Sequence, residues 1–222
     1  MILRKREVRP RIFLVEFRSQ YEAASTFLRC QEFYESAKFR GRVFSLEEYM
    51  DWYAGKFKNF TYYEDWEGFN IPSGVLEPFY QGEFDPLSRK EKKLLDLFAR
   101  ERGDFYIIGA VTSPDGGVHE RTLKHELAHG LFHIESAYRK EVLAQLAKYD
   151  TTELEKELLR SGYCRAVLKD EVHAYLLCGG IEAGKRKRLQ PLKRTLRRLF
   201  RKYSTESDGG GHLGRRRRGR GT

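Results

Sequence analysis

Hydrophobic and polar positions recur along this chain with two periods, which divide it into a first half with strands and a mainly helical second half. Arg11-Ile12-Phe13-Leu14-Val15-Glu16-Phe17 is a short β-branched and aromatic run that predicts a strand, and a helical pattern follows from about Gln20 to Glu35. Ser45-Leu46-Glu47-Glu48 has the Ser-x-x-Glu form of a capping box, whose side chains satisfy N–H groups that a first helical turn leaves free. It predicts a helix through about Gly55, with Leu46, Tyr49, Met50 and Tyr53 on a core-facing side. Between Asn59 and Gln81, aromatic, Gly and Pro residues cluster without helical period, which predicts a long ordered loop or irregular hairpin packed as an aromatic collar.

Leu87 to Glu101 is amphipathic, with Leu94, Leu95, Leu97 and Phe98 inward and Gly103 after its end. Asp104-Phe105-Tyr106-Ile107-Ile108-Gly109-Ala110-Val111 is the clearest strand pattern, closed by the turn Ser113-Pro114-Asp115-Gly116-Gly117. Three helical stretches follow, over about 120–133, 136–159 with a break near Asp150-Thr151, and 165–177. The expected fold class is α+β, with a small mixed sheet and a mainly helical second half.

Composition narrows the class. With 222 residues, 40% of them hydrophobic, and 15 Phe, 13 Tyr and 2 Trp, the chain can bury one substantial core, which excludes pervasive disorder. No apolar run approaches the roughly 18 residues of a spanning helix, and Met1-Ile2-Leu3-Arg4-Lys5-Arg6 lacks the apolar stretch of a signal peptide. A soluble, intracellular, cytoplasmic protein with no transmembrane segment is expected. Cys30, Cys164 and Cys178 are too few and too far apart for a disulfide framework or a zinc ribbon, and are read as reduced, mostly buried thiols.

The formal net charge is +10, unevenly spread. Residues 185–222 hold 15 Lys and Arg against two acids, so the first 184 residues are slightly acidic overall. The expected organisation is therefore a domain over 1–184, a basic amphipathic helix over 185–203, and a Gly- and Arg-rich disordered tail over 204–222. Leu189, Leu192, Leu196, Leu199, Phe200 and Tyr203 form the apolar stripe of that helix. Docking of this stripe on the domain is the plainer expectation, and contact of residues 185–222 with nucleic acid or an anionic surface is the other.

His125-Glu126-Leu127-Ala128-His129 lies inside a helical pattern. Residues four apart share a helix face one turn apart, so both imidazoles can ligate one cation while Glu126 reaches a water beside it. Neutral imidazole suits Zn2+, and water on zinc has a pKa near ~7, so a carboxylate that takes its proton yields a nucleophile at ordinary pH. A chance His-Glu-x-x-His is expected roughly 0.02 times in a chain of this His and Glu content. The plain alternative is a pair of solvated or hydrogen-bonded histidines. Leu127, Ala128, Leu131 and Phe132 weigh against it, because they make the helix apolar and buried histidines need partners.

Zinc needs a third protein ligand. On a straight helix His133 is ~12 Å from His125 along the axis, too far to share an ion about 2 Å from each. Glu135 stands where the metzincin pattern has a ligand, but Phe132 occupies the place of the Gly that turns the chain there. On a separate helical stretch Glu171, Ala174 and Tyr175 fall on one face, and the small Ala174 permits close approach to the motif helix. Asp170 either orients a ligand imidazole or begins its helix as an exposed acid. His173 points away from Glu171 by helical phase, and His119 precedes the motif in a loop.

His-Glu-x-x-His followed by Glu-x-x-Ala on a later helix resembles the gluzincin division of the zincin metallopeptidases, over about residues 105–178. The resemblance implies a zincin-like domain that hydrolyses a peptide or protein substrate, with one Zn2+ per chain held by His125, His129 and Glu171 and with Glu126 as general base. It implies that Phe105–Val111 is an edge strand to which an extended substrate adds, and that Tyr175 or Tyr163 donates to the oxyanion. His129 and Glu171 are 42 positions apart, more than in thermolysin-like enzymes, and Tyr175 stands where several of these families have an Asp. The rival reading is a nucleic-acid-associated protein with a structural zinc site and a basic C-terminal binding tail.

Overall fold

The computed structural model describes residues 2–113, 116–179 and 187–205. Pro114 and Asp115 of the expected turn, Lys185 and Arg186 of the expected basic helix, and residues 206–222 of the tail lie outside the described residues.

Four strands form one mixed sheet. β1 (Ile2–Arg9) and β2 (Ile12–Phe17) are an antiparallel hairpin. β3 (Gly68–Pro72) is antiparallel to β4 (Tyr106–Val111), which runs parallel to β2, giving the order β1-β2-β4-β3. The two inner strands are covered on both faces, which is why they read as nearly continuous apolar runs. Their alternate residues serve two cores: Ile12, Leu14, Tyr106 and Ile108 face one, and Val15, Phe17 and Ile107 the other.

The second of these cores is closed by α1 (Gln20–Glu35), α2 (Leu46–Phe57), α3 (Tyr62–Asp65), α4 (Glu77–Tyr80) and α5 (Arg89–Phe98). The first is closed by α6 (Glu120–Ile134), α7 (Ser136–Leu146), α8 (Thr152–Ser161), α9 (Leu168–Cys178) and α10 (Gln190–Thr205). Ser45 caps α2 as its sequence predicts, accepting from the Glu48 N–H at 3.0 Å, and Ser88 with Glu91 forms a full capping box on α5. Gly109 lets α1 cross close over β4, because a Cβ there would lie 2.4 Å from the Phe27 ring. On the opposite face α6 packs along α9, where Ala174 is fully buried.

The structure departs from the sequence pattern in four places. β1 escapes the pattern because it is polar; Arg4 and Arg6 pair with Glu16 across the hairpin, and Lys5 reaches Glu101. Residues 59–81 are not a loop or irregular hairpin, since they contain β3, whose Phe69 and Ile71 are buried, and the short helices α3 and α4. The strand over 105–111 is consequently interior, and β3 is the outer strand on that side. Leu46 is 38% exposed instead of core, because it opens α2 one turn ahead of the buried Tyr49 and Tyr53.

The basic helix runs over Gln190–Thr205 and is docked, with Leu192, Leu196, Leu199 and Phe200 buried in the same core as α6, α7 and α9. No helix among the described residues is long and apolar enough to cross a membrane. The three cysteines are free; Cys30 is buried and Cys164 and Cys178 are half-buried.

Candidate metal centre

α6 carries His125 and His129 one turn apart, with their Nε2 atoms 3.2 Å from each other. Glu171 Oε1, on α9, is 3.8 Å from His129 Nε2, and ligand atoms of all three residues lie within 4.8 Å of one another. Two imidazole nitrogens bound tetrahedrally at about 2.0–2.1 Å from an ion are about 3.3 Å apart. The observed separation therefore matches two ligands of one cation. Glu171 Oε2 is buried without a hydrogen-bond partner, which is costly for a carboxylate unless a cation completes it. The residues brought together are those the motif predicts, and they are compatible with one metal ion.

Asp170 is buried, so it is not the exposed helix-opening acid that was the alternative expectation. Its Oδ2 lies 3.0 Å from His129 Nδ1, and engaging that nitrogen leaves Nε2 directed at the convergence point. The other carboxylate oxygen is 3.3 Å from His173 Nδ1, and His173 Nε2 is 2.8 Å from the Tyr138 hydroxyl. His173 is thus not a ligand candidate but a buried prop beneath one.

Glu126 is buried beside the three candidate ligands. Its Oε2 accepts a hydrogen bond from Asn70 Nδ2 at 2.8 Å, and Asn70 Oδ1 accepts from the Tyr106 hydroxyl. The Asn70 backbone N–H donates to Gln31 Oε1 at 3.0 Å, tying β3 to α1. Gly68 borders the same carboxylate, and a Cβ there would lie 2.2 Å from Glu126 Oε1. Gly68 and Asn70 were invisible to motif reasoning. The only sequence signal for them is the short alternation of Phe69 and Ile71 around Asn70.

Electrostatics favour positive charge where the ligand atoms converge. Burial pushes Glu171 up to about 8, reinforced by Asp170 and Glu126 against the opposing His129. Burial also pushes Glu126 up to about 7, with the Asn70 hydrogen bond and His129 opposing. Although burial disfavours its charge, the carboxylates of Asp170 and Glu171 push His129 up to about 10. Asp170 is held down to about 2 by His129 and His173, in spite of its burial. His125 moves well below its ordinary value through burial and the neighbouring His129.

A cleft of about 520 Å³ opens over the group, between α1, β3, α6 and α9. The Tyr175 ring centre is 4.8 Å from that of His125, and its hydroxyl is 3.1 Å from that of Tyr163; both tyrosines line the cleft. Burial pushes both hydroxyls up, so they stay protonated and able to donate. Glu35 also lines the cleft, and burial with the nearby Glu171 raises its carboxyl well above the usual range. His133 lies away from the group, with Nε2 3.0 Å from Asp104 Oδ1, and Glu135 caps the end of α6. His119 sits at the cleft rim before α6.

Comparison of the chain with protein-family models, with curated proteins and with solved structures yields no match.

Proposed function

We propose that this chain is a zinc-dependent metallopeptidase with a zincin-like fold, and the observation that carries the reading is the meeting of His125, His129 and Glu171 beside a buried Glu126. Two imidazoles and a carboxylate are a donor set that suits Zn2+. When bound, the ion supplies Lewis acidity that acidifies water and polarises a carbonyl.

The protein's own residues divide the remaining work. Glu126, held by Asn70, takes a proton from the attacking water and passes it to the leaving amine. Asp170 fixes the orientation of His129. Tyr175, whose hydroxyl meets that of Tyr163, donates to an oxyanion in the cleft. An extended peptide main chain would meet β3, the outer strand at the cleft, at Gly68, since the outward N–H of Asn70 is taken by Gln31 and the strand over 105–111 is interior.

The test is zinc content by elemental mass spectrometry together with hydrolysis of a quenched fluorescent peptide library. The parent is expected to hold one zinc per chain and to cleave. Glu126→Gln should keep the zinc and lose cleavage, whereas His129→Ala and Glu171→Ala should lose both. Cleavage that persists in Glu126→Gln, or a parent that takes up no zinc, overturns the reading.

A further inference from the structure

We propose that the outward face of α10, continued onto the first turns of α6, is a binding surface for the phosphate backbone of nucleic acid. α10 is docked on the domain by its apolar side. Its apolar stripe is consumed by the core, so none of it is left to enter a lipid interface. What faces outward is Arg194, Arg197, Arg198, Arg201 and Lys202, all exposed, with Lys193 half-buried beside them.

These charges are unpaired to an unusual degree. Of the four cations of β1, three meet a carboxylate, Arg4 and Arg6 at Glu16 and Lys5 at Glu101, and Arg9 donates to the Tyr203 carbonyl. On α10 Lys202 reaches Glu141, but Lys193, Arg194, Arg197, Arg198 and Arg201 have no carboxylate partner among the described residues. Arg197 Nε points to the Leu177 carbonyl at 3.5 Å. Two further cations come from α6: Lys124 Nζ stands 5.7 Å over the Phe200 ring, and Arg121 lines the metal cleft. Burial lowers Lys193, and Arg197, Arg121 and Lys124 lower it further, as expected when four cations crowd one surface.

Such a surface is self-repulsive until a polyanion neutralises it. Arg194, Arg198 and Arg201 recur about one helical turn apart and span ~10 Å along the axis. A duplex offers a regular charge array, one per ~1.7 Å of its axis, which a row of this kind can follow. Most of the cations are guanidinium groups, whose planar fork matches phosphate. Because Arg121 belongs to both the basic surface and the cleft rim, a protein carried on nucleic acid would be presented beside the metal centre. The surface itself does not depend on the peptidase reading.

The experiment is fluorescence anisotropy of a labelled duplex and a labelled single strand, titrated with the full chain at several salt concentrations. The parent is compared with R194E/R198E/R201E, with a variant whose Arg215–Arg218 and Arg220 are changed to Ala, and with Glu126→Gln. The parent and Glu126→Gln should bind alike. Reversal of the three α10 charges should weaken binding at least tenfold and lower the slope of log K against log salt by about 3 on a duplex, whereas the tail variant should keep that α10-dependent part. Far-UV circular dichroism checks that the charge-reversed chain is folded. The proposal is overturned if the parent does not bind at low salt, if the α10 reversal leaves affinity unchanged, or if polyglutamate or phosphatidylserine vesicles bind as tightly as the duplex.

Discussion

Asn70 Nδ2 donates to Glu126 Oε2 at 2.8 Å, so the outer strand of the sheet fixes a carboxylate that belongs to the helix carrying His125 and His129. The bond joins residues 56 positions apart, and the Tyr106 hydroxyl on the neighbouring strand sets the orientation of the amide. A buried carboxylate without such a donor would be free to rotate and would be left with an unmet acceptor. In this fold the sheet is part of the site and not only its support.

Asn70→Ala should therefore lower kcat for peptide cleavage by roughly a hundredfold, the scale on which misplacing a reacting group is felt, while zinc content stays at the parent value. Steady-state kinetics and elemental analysis on the same preparation check it. Parent kinetics in this variant would show that Glu126 needs no positioning from β3.

Gly68→Ala probes the same wall from the steric side. The added methyl would sit 2.2 Å from Glu126 Oε1 and 2.9 Å from Thr122 Cγ2, so the carboxylate must move. Overpacking of this kind costs about 1–3 kcal/mol, and kcat should fall with little change in bound zinc. Thermal melts and kinetics read the two effects separately; unchanged kcat would mean that Glu126 works equally well from a displaced position.

The legible part of the site was local. Periodicity alone puts His125 and His129 one turn apart on one helix face, and the resemblance of Glu171-x-x-Ala174 to a later ligand helix points to Glu171. Gly68 and Asn70 depend on which strand lies at the sheet edge, and that is decided by the pairing of β3 with β4. A five-residue strand with a polar centre, set among Gly, Pro and aromatics, carries too little pattern to announce that pairing. The burial of Asp170 is likewise settled by how α6 packs on α9, which no spacing within α9 reveals.

Asp170→Asn keeps the size of the side chain at His129 Nδ1 but removes its charge. Outer-shell partners of this type are worth about 10- to 100-fold in metal affinity. Competition with a chromophoric chelator should show zinc affinity reduced by that factor, with the parent stoichiometry recovered at excess zinc. An affinity equal to the parent's would leave His129 oriented by its packing alone.

Glu32, on α1 one turn before Glu35, makes stability fall as pH rises. Burial pushes its carboxyl from 4.5 up to about 7, although the hydroxyls of Tyr62, Tyr49 and Ser36 donate to it. Between those two values the folded chain holds a proton that the unfolded chain has released. Stability contributed by this group is therefore complete below about pH 4.5 and is lost as pH rises through about 7. The loss is on the order of 3 kcal/mol by pH 8, most of it between pH 5 and pH 8. Glu32→Gln cannot ionise, so its Tm relative to the parent should be higher at pH 8 than at pH 5, by roughly 5 to 10 °C for a chain of this size. The difference between the two chains cancels the titration of Glu171, and Glu35, whose carboxyl the Glu32 charge also raises, moves the difference in the same direction. Equal Tm offsets at both pH values would mean that the tyrosine hydroxyls hold Glu32 ionised in the folded state, and that its enclosure costs the fold nothing at neutral pH.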